Sequence, residues 1–387
     1  MTMKRLFPFW FWALLFTGTM PTYAQISPGT PYSSAVQFFN QNWKVTDGDT
    51  QYKISQSVLP LGFFLPFADR LEMRASTSFV HMKSDDSGAQ ETVSGMTDLK
   101  LQLGYALNAE RNFVANAAFS LPTGFSELTR KQQDVLADFI APDLSVRENR
   151  FGEGLNVGGT LSYVTDPTPE SLIGGSVGVL RRGAFQTTLL STDQQIELLP
   201  GVEAAASVAY SHTTAESFFQ FTPTFTIYGD EYVNGAKTLR LGPKAQAQAL
   251  ATRLFANRKA MFTAALQGIL RGKTQTFNEN VTVYQISNPN SLTLLGSLEY
   301  QVVPKVRLVG TFVGRFIRSE SDPDAEIVAG TGQSNVFEQG LIANIALSRT
   351  ASISIGERYI SGSGTNRDQE TRTISGLETF IRTSIRF

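Results

Sequence analysis

There is no cysteine anywhere in the 387 residues. That excludes disulfides, thiolate metal sites and the lipid-bearing cysteine of a lipoprotein. Long apolar runs are missing as well, since no segment approaches the ~18 consecutive apolar residues that a membrane-crossing helix needs. Charge is thin: Asp, Glu, Lys and Arg make up 17% of the chain and the net charge is −1. No basic field exists to hold a nucleic acid, and none is expected as a partner. Histidine is limited to two residues, which leaves little material for general-base chemistry.

What is present points first to export. Lys4 and Arg5, the apolar stretch from Leu6 to Phe16, and Ala24 after Thr22 and Tyr23 form the three parts of a secretory signal. Residues 1–24 are read as that signal, 25–34 as a periplasmic tail and 35–387 as the folded unit.

The folded unit alternates. Leu377, Thr379, Ile381, Thr383, Ile385 and Phe387 share one face of a strand, while Glu378, Arg382, Ser384 and Arg386 share the other. Phe219, Phe221, Pro223, Phe225 and Ile227 likewise oppose Gln220, Thr222, Thr224 and Thr226. Leu71, Met73, Ala75 and Phe79 oppose Glu72, Arg74, Ser76 and Ser78. A single run of this kind also suits a soluble β-sandwich. Persistence decides between them, because sandwich strands average about 5–6 residues and tilted membrane strands need about 9–11.

Short polar joints (Pro66–Asp69, Asn108–Asn112, Asp166–Glu170, His212–Glu216, Asn257–Lys259, Val303–Lys305, Arg349–Thr350) take turns with longer ones. The latter are Ser84–Gly95, Pro122–Gly154, Arg181–Gln194, Gly229–Gly235, Gln275–Asn290, Glu320–Gln333 and Ser361–Glu370. The expected fold is all-β: a single antiparallel transmembrane β-barrel of about 16 strands, within a range of roughly 12–18, with short periplasmic turns and long extracellular loops. Its location would be the bacterial outer membrane and its surroundings outer-membrane lipid. The terminal aromatic Phe387, with Ile385 and Ile381 at alternate positions before it, looks like the signal read by the barrel-assembly machinery.

Gly95-Met96-Thr97-Asp98-Leu99, Leu121-Pro122-Thr123-Gly124, Phe151-Gly152-Glu153-Gly154 and Phe67-Ala68-Asp69-Arg70-Leu71-Glu72 carry a family resemblance. The stretch from Gly95 to Tyr163 resembles outer-membrane transporters associated with phenol-degradation meta-pathways. That resemblance implies a barrel that passes small, often hydrophobic, organic molecules. It assigns no binding residue, since short Gly/Pro/Asp motifs are turn chemistry.

Candidate functional residues follow from the parity of each strand. The inward face is expected to carry Arg74, Lys100, Arg240, Lys244, Arg271, Lys273, Arg307, Arg315, Arg358, Arg372, Arg382 and Arg386 against Glu72, Glu203 and Glu378. Such a lumen would favour anionic solutes, with Arg307, Arg315 and Arg358 the leading contributors.

In the longest loop, Ser126 to Phe139 reads as a short amphipathic helix with Leu128, Val135, Leu136 and Phe139 on one side. It either folds inward as a gate or packs on the barrel rim, and the rim is the favoured placement. His81 falls on the lipid-facing parity and His212 in a periplasmic turn, neither beside a serine-nucleophile motif, so no enzyme is expected. Asp85-Asp86 and Asp322/Asp324 read as solvated loop acids before calcium ligands. No cofactor or metal is called for. The functional expectation is a channel for small solutes, and the competing one a closed barrel whose loops bind a partner or surface.

Overall fold

The computed structural model describes residues 33–86, 89–125, 129–139, 144, 146–188, 195–278, 281–318, 333–365 and 371–386. The expected signal segment, Leu128, Asp322, Asp324 and Phe387 lie outside these residues. Sixteen antiparallel strands close into a barrel. The main sheet contains 17 segments, two of which lie end to end in one wall strand, so the wall has 16 strands.

In chain order the strands are β1 (Ser33–Asp47), β2 (Thr50–Ala68), β3 (Leu71–Asp86), β4 (Ala89–Met96 continued by Leu99–Ala106), β5 (Phe113–Leu121), β6 (Asn156–Thr168), β7 (Ser171–Arg182) and β8 (Glu203–Thr213). They continue as β9 (Ser217–Tyr228), β10 (Lys244–Phe255), β11 (Ala260–Arg271), β12 (Asn290–Val303), β13 (Val306–Arg318), β14 (Ser334–Ala346), β15 (Ala351–Thr365) and β16 (Thr371–Arg386). Closure is made by β1 against β16, in register from Ser33↔Arg386 to Asp47↔Arg372. The sheet therefore has no free edge along that seam, as backbone amides facing hydrocarbon require.

Alternation builds the wall as the sequence predicts. On β9, Phe225 and Ile227 are each 53% exposed on the outside, while Thr222 and Thr226 are buried on the inside. Ile381 and Ile385 point outward on β16. An apolar outer band on a closed antiparallel barrel with an even strand count is the architecture of a bacterial outer-membrane protein, and the chain belongs in that membrane.

The walls differ in height. β2 spans 19 residues and β3 spans 16, against 9 in β5 and 11 in β8. The outer face of the long strands changes from apolar to polar partway along. Leu59, Leu61, Phe63, Leu65 and Phe67 give way to Ser57, Ser55 and Lys53 on β2, and Phe79 gives way to His81 and Lys83 on β3. The upper parts of these strands therefore stand above the bilayer.

Across the barrel, the extracellular extensions of β7 to β12 form three hairpins that pair sideways into a separate six-stranded sheet, from Phe185–Thr188 to Val281–Ile286.

Four expectations need adjusting. Within Ser84–Gly95 the described residues are strand, with Asp86↔Ala89 still paired. The wall begins at Ser33, two residues inside the expected tail. Arg240 is not in the wall. The run Leu241-Gly242-Pro243 ends the ladder, since Pro243 has no amide to donate and a Cβ on Gly242 would sit 2.0 Å from the Gly272 carbonyl. Arg240 therefore lies on the hairpin arm Ala236–Arg240, bound to Asp230 at 2.6 Å.

The helix α1 (Arg130–Phe139) is the fourth. It packs against the inner face of the tall wall, not on the rim: Val135, Leu136 and Phe139 join one cluster with Trp43, Val45, Val80 and Met82. Phe139 meets Trp43 edge-on at 6.2 Å between ring centroids.

Candidate functional site

The inner surface is organised around one row of side chains running across ten consecutive strands. Thr222, Gln248, Gln267, Thr293 and Arg315 are direct cross-strand partners from β9 to β13. Arg358, Glu378, Gln41 and Gln56 are direct partners from β15 through β16 and β1 to β2. Glu338 on β14 joins the two stretches, accepting from Arg315 at 2.7 Å and from Arg358 at 2.8 Å. From β9 to β12 the belt is hydroxyl and amide; from β13 to β16 it is ionic, flanked by the amides Gln41 and Gln56.

The long loop between β5 and β6 docks on the ionic half. Arg147 donates from Nε and from its terminal nitrogen to Glu378 at 3.0 and 2.7 Å, and its guanidinium lies 4.3 Å from the Phe39 ring centroid. Glu378 is fully buried; it also accepts from Gln41 at 2.6 Å and lies 3.7 Å from Arg358. Gln56 accepts from the Arg147 amide at 3.0 Å and donates to the Glu148 carbonyl. Ser78 donates to the Glu148 carboxylate at 3.0 Å.

Burial raises the Glu148 pKa above the usual carboxylate range, against the opposing pull of Lys100 and the Ser78 hydrogen bond. Higher up, Ser84 donates to Asp138 of α1.

The base of the loop is clamped where β4 breaks. Between Met96 and Leu99 the strand bulges, which reverses its parity. Asp98, turned inward by that bulge, accepts from the Gly124 amide at 3.0 Å and the Glu153 amide at 2.8 Å, and its own amide donates to the Phe151 carbonyl at 2.9 Å. Phe125 stacks on Phe151 with centroids 4.5 Å apart. A Cβ on Gly124 would fall 2.0 Å from the Phe151 carbonyl oxygen, so only glycine permits this approach. The Gly95–Leu99, Leu121–Gly124 and Phe151–Gly154 motifs thus meet in space, and their task is to hold both ends of the loop.

Of the other expected lumen residues, Arg74 pairs with Glu72 at 3.4 Å and Arg307 with Glu299 at 2.9 Å. Lys100 acts on Glu148 from β4. Arg382 is buried on β16, and Arg372 lies 3.3 Å from Asp47. Lys244 and Arg271 face one another at the extracellular ends of β10 and β11. Arg315, Arg358 and Arg147 meet Glu338, Glu378 and Glu148, so the ionic half is close to neutral.

The residues missed in the sequence are Glu338, Arg147, Glu148, Gln41, Gln56 and Asp98. Glu338 has parity with Val336 and Ile342, whose apolar side chains face the docked loop. The contrast between faces that marks β9 is therefore absent from β14.

The two histidines are placed outside the lumen. His81 sits on the outer face above the lipid band, 2.6 Å from Ser94. Folding brings His212 within 3.2 Å of Ser171 and 4.0 Å of Glu170, a cluster that the sequence does not display. It lies on the outer face at the periplasmic edge with Glu170 65% exposed, which makes it a solvated interfacial group.

No family model and no curated protein matches the chain. Solved structures similar to it include OprB of Pseudomonas putida, at 10% identity over 92% of this chain and 94% of that one, with a TM-score of 0.47. A FadL homologue of Pseudomonas aeruginosa is similar at 11% identity over 92% and 90%, with a TM-score of 0.46. The channel DcaP of Acinetobacter baumannii is similar at 10% identity over 92% and 96%, with a TM-score of 0.43. The assignment to the outer membrane stands on the chain's own closed and apolar-walled barrel.

Proposed function

We propose that the protein is a channel that lets small organic solutes, hydrophobic or anionic, diffuse passively through the barrel lumen, narrowed by the 122–155 loop. One observation carries this reading: the loop is bound to the inner wall through Arg147 and Glu378, while the facing stretch of wall presents Thr222, Gln248, Gln267 and Thr293 to the interior. A barrel that served only as a scaffold has no use for a polar row sorted into neutral and ionic halves. The terminal strand, with Ile381 and Ile385 outward, is proposed to be the part read by the assembly machinery. The phenol-pathway resemblance fits the hydrophobic end of the proposed solute range.

The competing reading is a closed barrel that binds a partner through its extracellular sheet, and the complete burial of Phe139 and Val135 beneath the tall wall favours it. Liposome swelling separates the two. Purified protein in vesicles should admit small solutes at a measurable rate, and an impermeable vesicle would decide for the closed barrel.

A further inference from the structure

The extracellular mouth holds cations that the ionic half of the belt does not neutralise. Arg182, Glu203, Lys244 and Arg271 lie at the outer ends of β7, β8, β10 and β11, all on the inward parity, with Tyr228 at the end of β9 between them. Glu203 is engaged by Arg182 at 3.0 Å. Lys244 and Arg271 are direct cross-strand partners. Like charges in that position repel.

Among the described residues neither side chain is held in an ion pair; the only carboxylate acting on Lys244 is Glu203, already bound to Arg182. Three cations thus lie round Glu203, with Glu231 a second carboxylate that acts on Arg182 alone of the three, so Lys244 and Arg271 keep an excess of positive charge that an incoming anion would neutralise. Below it the inward groups on β9 to β12 include the uncharged donors and acceptors Thr224, Gln248, Gln267 and Thr293, interleaved with Leu250, Ile269 and Leu295. Hydroxyls of a solute would pair with the first set.

Resting on the channel reading, we propose that Arg182, Lys244, Arg271 and Tyr228 form a capture site for small hydroxylated carboxylates, of the sugar-acid class, which then pass along the amide and hydroxyl wall. The carboxylate is held by Lys244 and Arg271, and its hydroxyls replace water on Gln248 and Gln267.

Titration calorimetry on the folded, detergent-solubilised protein tests the site independently of conduction. Gluconate should bind, glucose and inorganic phosphate should bind at least tenfold more weakly, and K244Q/R271Q should lose gluconate binding while K244R/R271K keeps it. Folding of each variant is checked by its heat-modifiable gel shift. Absence of gluconate binding, or binding undiminished in K244Q/R271Q, overturns the site, and phosphate binding equal to gluconate overturns the sugar-acid class. Impermeable vesicles alongside intact gluconate binding would instead overturn the channel reading and leave the site standing.

Discussion

The two halves of the barrel wall solve different problems with the same alternating strand. From β6 to β12 the inner face below the mouth is rich in hydroxyl, amide and small side chains, with Arg182, Glu203, Lys244 and Arg271 at its upper rim, and the outer face is mostly apolar. From β13 through β16 to β4 the inner face carries ion pairs and, higher up, an apolar surface that buries Trp43, Val80 and Met82 against the docked loop. Below its rim the first half needs no partner to satisfy it. The second is complete only with the loop in place, because Glu378 would otherwise be a buried carboxylate short of its closest cation. On the proposed channel reading, function divides along the same line: one wall offers passage and the other holds the obstruction.

Removing the obstruction's anchor should break this contrast most severely. Arg147→Ala leaves Glu378 with Arg358 at 3.7 Å as its nearest cation, and breaking such a buried pair costs about 3–5 kcal/mol. The loop should undock, so that single-channel conductance rises severalfold and the loop becomes a protease target. Unchanged conductance together with protease resistance would remove the latch from the account.

Releasing the base of the loop should come next. Asp98→Ala discards two charge-assisted hydrogen bonds, about 1.5–3 kcal/mol each before local repair. Proteolysis within 122–155 should accelerate while the barrel itself keeps its heat-modifiable migration.

Acidity sharpens the comparison more gently. Glu148 has a higher pKa docked than free, so docking takes up a proton and is favoured as pH falls through the window above the ordinary carboxylate range; it weakens as pH rises beyond it. Conductance should therefore decline on acidification from neutral pH, and Glu148→Gln should flatten that dependence. A rise in conductance over the same range would contradict the sign.

The smallest effect is expected on the neutral wall. Thr293→Val removes one hydroxyl worth about 1 kcal/mol at most and should leave loop protection untouched, with a change in solute flux of less than about threefold.

Much of this was legible in the sequence, though unevenly. Where lipid lies on one side and polar groups on the other, as at Phe221, Phe225 and Ile227, parity alone orders the strand. Where the loop packs inside, inward positions such as Val336 and Ile360 are as apolar as outward ones, and the signal that would have exposed Glu338 disappears. Arg240 reads as a wall residue because strand parity continues across Leu241-Gly242-Pro243 in the sequence, even though the backbone leaves the wall there. The destination of α1 could not be read from its own amphipathic pattern, since that pattern states only that one side is buried. What buries it is supplied by residues near both ends of the chain.

That separation has a consequence for assembly. Glu378 lies on the strand that seals the cylinder, 231 residues beyond Arg147 and 337 beyond Gln41. Gln56, Ser78 and Ser84 on early strands can hold the loop first, but Arg147 cannot reach Glu378 before the last strand arrives. Seating of Arg147 on Glu378 then serves as a built-in report that the circle is complete, and the last increment of protease resistance in the loop would time the final step of insertion.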